Sequence, residues 1–275
     1  MKSEHADLEA RHPAEDLFSV RGRKPLVHCI TNQVSMNFVA NALLAVGALP
    51  VMASAVEEVE QITAEAQALL LNTGTISPEA AEAMRLAAGV CADAGIPIVI
   101  DPVGAGASNY RRSILFELME HAPPAVIRAN ASEIIALSGR HTGGGVDSVH
   151  KPEDALFAAK NLAAVWKCPV VISGAVDYVV CEHQSISIAN GSRLMSIVTG
   201  IGCAAGALIA AFAAVCPDRA RAAASSMAVI GVAGELAAEK AEGPGSFQVS
   251  LLDALYMLDA GALDGSVRLQ TLSGG

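Results

Sequence analysis

The sequence predicts a single α/β domain built on a mostly parallel β-sheet with helices on both faces. Short runs rich in β-branched residues alternate with longer stretches of helical periodicity over most of the chain. The strand-like runs are apolar almost throughout, as expected when helices cover both faces of a parallel sheet. With 275 residues, of which 52% are hydrophobic, the chain is long enough to bury one large core.

The first half of the chain predicts strands that are each followed by a helix. The strands are 25–30, 68–72, 97–101 and 125–128, and the helices are 33–46, 78–94, 110–121 and 131–138. This order is typical of βαβ units, in which successive strands run in the same direction.

The second half predicts an antiparallel edge of the sheet and then helices. A helix over 152–165 and a strand over 169–173 precede two short strands, YVVCEH and SISIA, whose order favours antiparallel pairing. Helices are predicted over 203–215, 218–240 and 250–259, with Gly243-Pro244-Gly245 between the last two. Residues 139–154 are predicted to be a surface loop near the ligand site.

No internal repeat or interdomain linker interrupts this pattern, so one domain is predicted over 21–262. Residues 1–20 are expected to be an N-terminal extension and residues 263–275 a C-terminal tail, both frayed.

The composition argues against several kinds of partner. The 18 basic and 28 acidic side chains give a net charge of −10 without a basic cluster, so nucleic acid is not an expected partner. The most apolar segments, 203–217 and 222–234, are shorter than the roughly 20 residues of a membrane span.

The N-terminus lacks the apolar core of a signal peptide, and the six cysteines show no C-x-x-C spacing. We therefore expect a cytoplasmic protein without a membrane segment, a disulfide framework or a zinc ribbon.

Two neighbouring predicted strands end in residues suited to a metal ion and a phosphate. Asp101 ends one strand and precedes Pro-Val-Gly-Ala-Gly, at the carboxyl edge where open α/β sheets bind ligands. The next strand ends in Arg128, with Asn130 and Glu133 just beyond it. Arg128 could pair with a nucleotide phosphate, and the oxygens of Asn130 and Glu133, together with Asp101, suit Mg²⁺. Alternatively Asn130 is a helix N-cap with Glu133 as its capping partner, a role compatible with function.

A glycine-rich turn precedes the first long apolar helix. Gly200-Ile201-Gly202-Cys203 begins a G-x-G-x-x-A pattern, but the next forty residues predict helices rather than the acidic strand that a dinucleotide-binding unit requires. The turn is instead predicted to be an anion hole, whose N–H groups at the helix start bind the transferring phosphoryl group. The same field is expected to lower the pKa of the Cys203 thiol from about 8.5 towards neutrality. The alternative for Cys203 is a small buried residue of the helix.

Together these motifs resemble the hydroxyethylthiazole kinase family of the ribokinase-like superfamily, from about residue 20 to about residue 260. The matching blocks are PLVHCITNQVSMNFVANALLAVGALPVMA (25–53), DPVGAGAS (101–108), IRANASEI (127–134), VVISGAVD (170–177), VTGIGC (198–203) and GPGSFQ (243–248).

The resemblance implies a single-domain ribokinase-like fold and a Mg²⁺-dependent transfer of phosphate from ATP to the hydroxyethyl group of 4-methyl-5-(2-hydroxyethyl)thiazole, in thiamine salvage. It also implies a homotrimer whose active sites lie between subunits. The matching positions imply thiazole binding by Asn32, Met52 and Gly200, ATP binding by Arg128 and Ser173, Mg²⁺ binding by Asp101 and Glu133, and catalysis by Cys203. Asn130, in the same turn as Arg128, is grouped with the ATP-binding residues.

Cys203 occupies the position at which ribokinase-like sugar kinases carry a catalytic Asp, and we expect it to accept the proton of the attacking hydroxyl. Three positions depart from the family pattern: Ala129, Ser173 and Ile201 stand where glycine, threonine and a small residue or threonine are usual. The alternatives are phosphorylation of a pyrimidine or pyridoxal acceptor, an ATP-dependent hydrate dehydratase, a regulatory binding module, and covalent catalysis by Cys203.

Overall fold

A computed structural model describes residues 2–139 and 155–273. Its strands are β1 (Leu26–Ile30), β2 (Leu49–Val51), β3 (Ala68–Asn72), β4 (Ile98–Asp101), β5 (Val126–Asn130), β6 (Val170–Ser173), β7 (Asp177–Val180), β8 (Gln184–Ile188) and β9 (Leu269–Ser273). Its helices are α1 (Lys2–Arg23), α2 (Met36–Val46), α3 (Val59–Glu65), α4 (Pro78–Ala94), α5 (Asn109–His121), α6 (Ala131–Leu137), α7 (Leu156–Trp166), α8 (Ile201–Val215), α9 (Arg219–Lys240), α10 (Pro244–Met257) and α11 (Ala260–Asp264). A 3₁₀ helix, Arg193–Ile197, precedes α8.

The strands form one nine-stranded sheet in the order β2-β1-β3-β4-β5-β6-β7-β8-β9. Neighbouring strands from β2 to β6 pair in parallel. The pairs from β6 to β9 are antiparallel. The predicted fold class, a mostly parallel sheet with an antiparallel edge, is confirmed.

Two apolar clusters cover the two faces of the sheet, and neighbouring residues of the central parallel strands belong to different clusters. In β3, Leu70 packs with residues of α2, α8 and α9. Its neighbours Leu69 and Leu71 pack with residues of α4 and α5 on the opposite face. This arrangement explains why the central parallel strands are mostly apolar, since both of their faces exclude water.

Helix α9 is the one described helix whose length and composition would allow it to cross a bilayer. Its apolar stretch is 78% buried inside the fold, and the helix contacts α8, α10 and α1. These are the properties of a core helix.

Parts of the two predicted terminal extensions differ from the expectation of frayed segments. Leu17 and Val20, on α1, are buried in the core. Strand β9 extends the sheet by pairing with β8. Residues 13–20 and 269–273 are therefore packed parts of the fold, held by contacts with elements that are remote in sequence. Residues 140–154 of the predicted surface loop lie outside the described residues.

The helix predicted over 250–259 begins six residues earlier in the structure, where α10 starts at Pro244. Proline is favourable in the first helical turn, where its missing N–H would have no partner in any case. The hydroxyl of Ser246 accepts the N–H of Gly243 at 3.2 Å, which holds the helix start.

Candidate functional site

The parallel strands place a row of polar residues along one edge of the sheet. Asn32 follows β1, while Asn72, Asp101, Asn130 and Ser173 end β3, β4, β5 and β6 in that spatial order. Asn72 is the register partner of Asp101, and Asn130 that of Ser173. Because carboxyl ends of parallel strands lie at the same edge, residues far apart in sequence meet here.

A chain of hydrogen bonds connects the thiol of Cys203 to the carboxylate of Asp101. Nδ2 of Asn32 donates to Sγ of Cys203 and to Oδ1 of Asn72, both at 3.0 Å. Nδ2 of Asn72 in turn donates to Oδ2 of Asp101 at 2.7 Å. Asn32, Asp101 and Cys203, which the sequence assigned to substrate, metal and catalysis, therefore lie in one hydrogen-bonded group.

Asp101 is a fully buried carboxylate, and its Oδ1 accepts no hydrogen bond from any described residue. This oxygen forms an ion pair with Arg128, whose Nη1 lies 3.7 Å away. Burial raises the pKa of Asp101 to about 7; Arg128 lowers it, and Glu133 adds to the rise. A carboxylate in this position is suited to a cation, which would favour its charged form.

Arg128 directs its guanidinium from β5 into the same site. Its Nη2 donates to Oγ of Ser173 at 2.8 Å, and its buried Nε has no hydrogen-bond partner among the described residues. A methyl group on Gly202 would lie 2.9 Å from Nη1, so the guanidinium lies directly against the first turn of α8. A buried donor without a partner, beside helix N–H groups, is suited to an anion.

Asn130 and Glu133 form the predicted capping box at the start of α6. Oδ1 of Asn130 accepts the N–H of Glu133, and Oε2 of Glu133 accepts the N–H of Asn130, both at 3.0 Å. The other oxygen of Glu133 accepts the N–H of Gly104 at 2.9 Å. Burial raises the pKa of Glu133. Within residues 2–139 and 155–273, no three His, Cys, Asp or Glu side chains cluster to hold a metal ion.

The predicted anion turn forms the start of α8. Gly200 is the N-cap residue with a φ of 89°, a left-handed conformation that favours glycine. A methyl group there would also lie 3.1 Å from Cβ of Ser35. The first N–H groups of α8, at Ile201, Gly202 and Cys203, follow this turn, and N–H groups at a helix start have no partner within the helix.

The expected direction of the Cys203 pKa is wrong. Burial raises the pKa of this thiol, and the neighbouring Asp101 raises it further, while the hydrogen bond from Asn32 opposes the rise. The prediction considered only the helix terminus, whereas the cost of a buried thiolate beside a carboxylate is larger.

Met52 lies at the carboxyl end of the edge strand β2, half-buried against the core. The next carbonyl, that of Ala53, accepts a 2.8 Å hydrogen bond from Nε2 of the buried His28. His28 thus fixes the segment that carries Met52.

Asn72 is the residue of the site that sequence reasoning missed. It is 1% exposed and connects Asn32 to Asp101. One signal was available, because an amide ends a strand that is otherwise apolar, ALLLN.

In chemical terms, the site combines a guanidinium, helix N–H groups, two carboxylates and a thiol. The guanidinium and N–H groups can bind phosphate, and the carboxylates can bind a hard cation. The thiol and the Asn32 amide can bind a small alcohol. Such a set is suited to phosphoryl transfer between a nucleotide and an alcohol.

Comparisons with known proteins agree with this chemistry. Residues 17–261 match the model of the hydroxyethylthiazole kinase family. The hydroxyethylthiazole kinase of Leptospira biflexa is 48% identical over 251 residues, covering 91% of this chain and 94% of that protein. The solved hydroxyethylthiazole kinase structure from Pyrococcus horikoshii OT3 has a TM-score of 0.88 and 39% identity, covering 95% of this chain and 99% of that one.

A pyridoxal kinase of Bacillus subtilis, solved as an ADP complex, shares the fold at 17% identity, with a TM-score of 0.57 and coverage of 76% of this chain and 91% of that one. By contrast, the match to the family model spans most of the chain. The two proteins named hydroxyethylthiazole kinase above are similar to this chain over nearly their whole length. The chain therefore belongs to the hydroxyethylthiazole kinase family.

Proposed function

We propose that the protein transfers the γ-phosphoryl group of ATP to the hydroxyethyl group of 4-methyl-5-(2-hydroxyethyl)thiazole, in thiamine salvage. The observation that carries this proposal is the hydrogen-bonded site in which Arg128, Asp101 and Cys203 meet at the start of α8. Family membership adds the identity of the acceptor, because the relatives are named for it. Since substrate and ATP are small polar metabolites, we place the reaction in the cytoplasm.

The alcohol oxygen attacks the γ-phosphorus, the bond from that phosphorus to the β–γ bridging oxygen breaks, and ADP leaves. Arg128, with Ser173 and Asn130 beside it, binds the nucleotide phosphates. The N–H groups of Gly200 to Cys203 stabilise the transferring group. Because the transition state of phosphoryl transfer is loose, positioning and charge stabilisation supply most of the rate.

The thiazole alcohol lies in this proposal between Asn32, Met52 and Gly200, with its hydroxyl at Cys203. The amide of Asn32, 3.0 Å from Sγ, holds the sulfur in place. Cys203 accepts the hydroxyl proton when its side chain is a thiolate. Because the pKa of the thiol is raised, only a small fraction of Cys203 is a thiolate at neutral pH. A small thiolate fraction is compatible with turnover because the proton is removed late.

The residues at the metal end fit Mg²⁺. Asp101 offers a carboxylate oxygen that accepts no hydrogen bond from the described residues, and Glu133 adds a second negative charge nearby. Mg²⁺ is usually bound by one or two carboxylates together with phosphates and water, so a pair of acidic residues is sufficient. When bound, the ion would neutralise charge on the phosphate oxygens.

The test is a coupled assay of ADP release with Mg²⁺-ATP and the thiazole alcohol, beside a reaction without acceptor. The proposal predicts ADP release that depends on the thiazole, and a phosphate monoester by mass spectrometry. Hydroxymethylpyrimidine and pyridoxal are the control acceptors. Turnover with one of these and not with the thiazole would contradict the proposed substrate, and binding without turnover would indicate a regulatory module.

We also propose that the protein is a homotrimer with active sites between subunits. Exposed apolar side chains on neighbouring elements support an interface: Val34, Leu44, Leu49, Ile197, Val249 and Met257. Helix α10 contacts α2 and the 3₁₀ helix, and α2 contacts β2, so these side chains lie on or next to adjoining elements. Light scattering should give three times the 28.1 kDa of one chain. A monomer that is fully active would contradict shared sites.

A further inference from the structure

Arg111, in the first turn of α5, reaches back to two loops at the carboxyl edge of the sheet. Its Nη1 donates to the carbonyl of Thr73 and, at 3.1 Å, to that of Val103. Its Nη2 donates to the carbonyl of Gly74 at 3.0 Å. One guanidinium therefore joins the loop after β3 to the loop after β4.

These contacts do not stabilise α5, the helix to which Arg111 belongs. The start of α5 is already capped by Ser108, whose Oγ accepts the N–H of Arg111 at 3.2 Å. A cation in the first turn is unfavourable with the helix dipole. Among the described residues, no carboxylate lies within ion-pair distance of Arg111. Helix stability thus does not account for this side chain.

The loop after β4 is shaped around Arg111. Gly104 has a φ of 73°, and a methyl group there would lie 3.4 Å from Cδ and Nη1 of Arg111. The N–H of Gly104 donates to Glu133 at 2.9 Å. The turn is therefore held by Glu133 on one side and by Arg111 on the other.

The two loops follow the strands that end in Asn72 and Asp101. We call this part of the site, next to Asp101 and Arg128, the phosphate end. Asn72 directly precedes Thr73, and the N–H of Gly74 donates to Oδ1 of Asn72 at 3.0 Å. Asp101 is the last residue of β4, two residues before Val103 in the second loop. The contacts of Arg111 are thus one or two residues from the hydrogen bond between Asn72 and Asp101.

We propose that Arg111 is a positioning residue for phosphoryl transfer, which holds Asn72 and Asp101 in register and keeps an unpaired positive charge beside the phosphate end. This role rests on the proposed function of the site. Arg112, the next residue, is a matched control because its guanidinium donates to Asn109 on its own helix at 2.9 Å.

The experiment compares Arg111→Ala, Arg111→Lys and Arg112→Ala in the full chain. We expect Arg111→Ala to lower kcat about 10- to 100-fold, because a displacement near 1 Å in an active site costs up to about that much. KM for Mg²⁺-ATP should rise more than KM for the thiazole alcohol, since Asp101 ends the strand before the second loop whereas Asn32 is reached only through its contacts with the first loop. Arg111→Lys should keep only part of the activity. Lysine keeps the positive charge, but it lacks the several N–H donors with which the guanidinium contacts both loops. Added guanidinium ion should restore part of the Arg111→Ala rate.

Hydrogen exchange of peptides covering 72–76 and 102–107 gives a measurement that needs no turnover. Exchange should be faster in Arg111→Ala and unchanged in Arg112→Ala. Faster exchange with unchanged kcat and KM would show a purely structural role and overturn the proposal, as would unchanged exchange. If wild-type protein shows no thiazole-dependent turnover, the proposed function fails, and exchange together with the dissociation constant for Mg²⁺-ATP still decides the role of Arg111.

Discussion

The side-chain amide of Asn72 donates a 2.7 Å hydrogen bond to Oδ2 of Asp101. Oδ1 of Asn72 also accepts from Asn32, whose amide donates to Cys203. The bond therefore links Asp101, at the proposed metal site, to Cys203, where the alcohol is proposed to bind. A change at Asn72 should therefore affect both ends at once.

Asn72→Ala should lower the free energy of unfolding by about 1–3 kcal/mol, because it leaves buried polar groups without partners. It should also lower kcat at least about tenfold, since both Asp101 and Asn32 lose their alignment. Urea unfolding and steady-state kinetics measure the two effects. Asn41→Ala is the control, because Asn41 bonds Asn37 on the exposed face of α2. Equal effects of the two substitutions would argue against a role for Asn72 in the site.

Gly202→Ala should weaken the binding of Mg²⁺-ATP, because the added methyl group would lie 2.9 Å from Nη1 of Arg128 and displace the guanidinium. We expect KM for ATP to rise about tenfold or more, as for the loss of a charged hydrogen bond. Gly22→Ala, on α1, is the control, since apart from the neighbouring turns of its own helix no described residue has an atom within 4 Å of the added carbon. An unchanged KM in Gly202→Ala would mean that Arg128 does not bind the nucleotide from its observed position.

Much of the site could be predicted because its residues follow recognisable strands. Asp101 and Arg128 stand at the ends of apolar runs, and parallel strands bring such ends together. Asn72 ends a strand in the same way, but an amide at that position is equally typical of a turn, so only its contacts reveal its role. The pKa of Cys203 depends on burial and on the distance to Asp101, which sequence spacing does not show.

The termini were harder to predict than the central sheet. Residues 13–20 belong to α1, which packs mainly against α8, α9 and α11 near the other end of the chain, and the periodicity of 13–20 does not predict those contacts. Strand β9 is short and lies at the edge of the sheet, where a neighbouring strand determines its conformation. The predicted boundaries of the domain, 21 and 262, stay predictions.

Asp16→Asn should lower the free energy of unfolding by about 2–3 kcal/mol, because the carboxylate of this buried residue accepts from Arg221 at 2.8 and 3.0 Å and from Ser225 at 2.7 Å. Glu15→Gln should cost less than about 1 kcal/mol, since Glu15 is exposed and its ion pair with Arg221 is screened by solvent. Urea denaturation of both variants provides the comparison. Similar losses would mean that α1 is not anchored through Asp16.

The stability of the protein should depend on His28 below neutral pH. Burial lowers the pKa of His28, although the Ala53 carbonyl and Glu58 oppose the shift. The unfolded chain takes up this proton near pH 6.5 and the folded chain does so only at lower pH, so the free energy of unfolding should fall as the pH drops below about 6.5.

His28→Gln removes this proton uptake, so the stability advantage of wild type over the variant should shrink from pH 8 to pH 5.5. His183→Gln is the control, because the His183 side chain is 88% exposed. Urea titrations at several pH values measure both differences. A constant difference between wild type and His28→Gln across this range would show that His28 does not titrate differently in the folded chain.

Thiazole-dependent ADP release by wild type, Cys203→Ala and Cys203→Asp, measured against pH, tests the central claim most directly. Because the pKa of the thiol is raised, wild-type kcat should increase from neutral to alkaline pH as the thiolate forms. Cys203→Ala should lose about 10²–10⁴-fold in kcat with little change in ATP affinity, and Cys203→Asp should stay active without the alkaline rise. Normal turnover by Cys203→Ala, with the wild-type pH dependence, would contradict the assignment of Cys203 as the group that accepts the substrate proton.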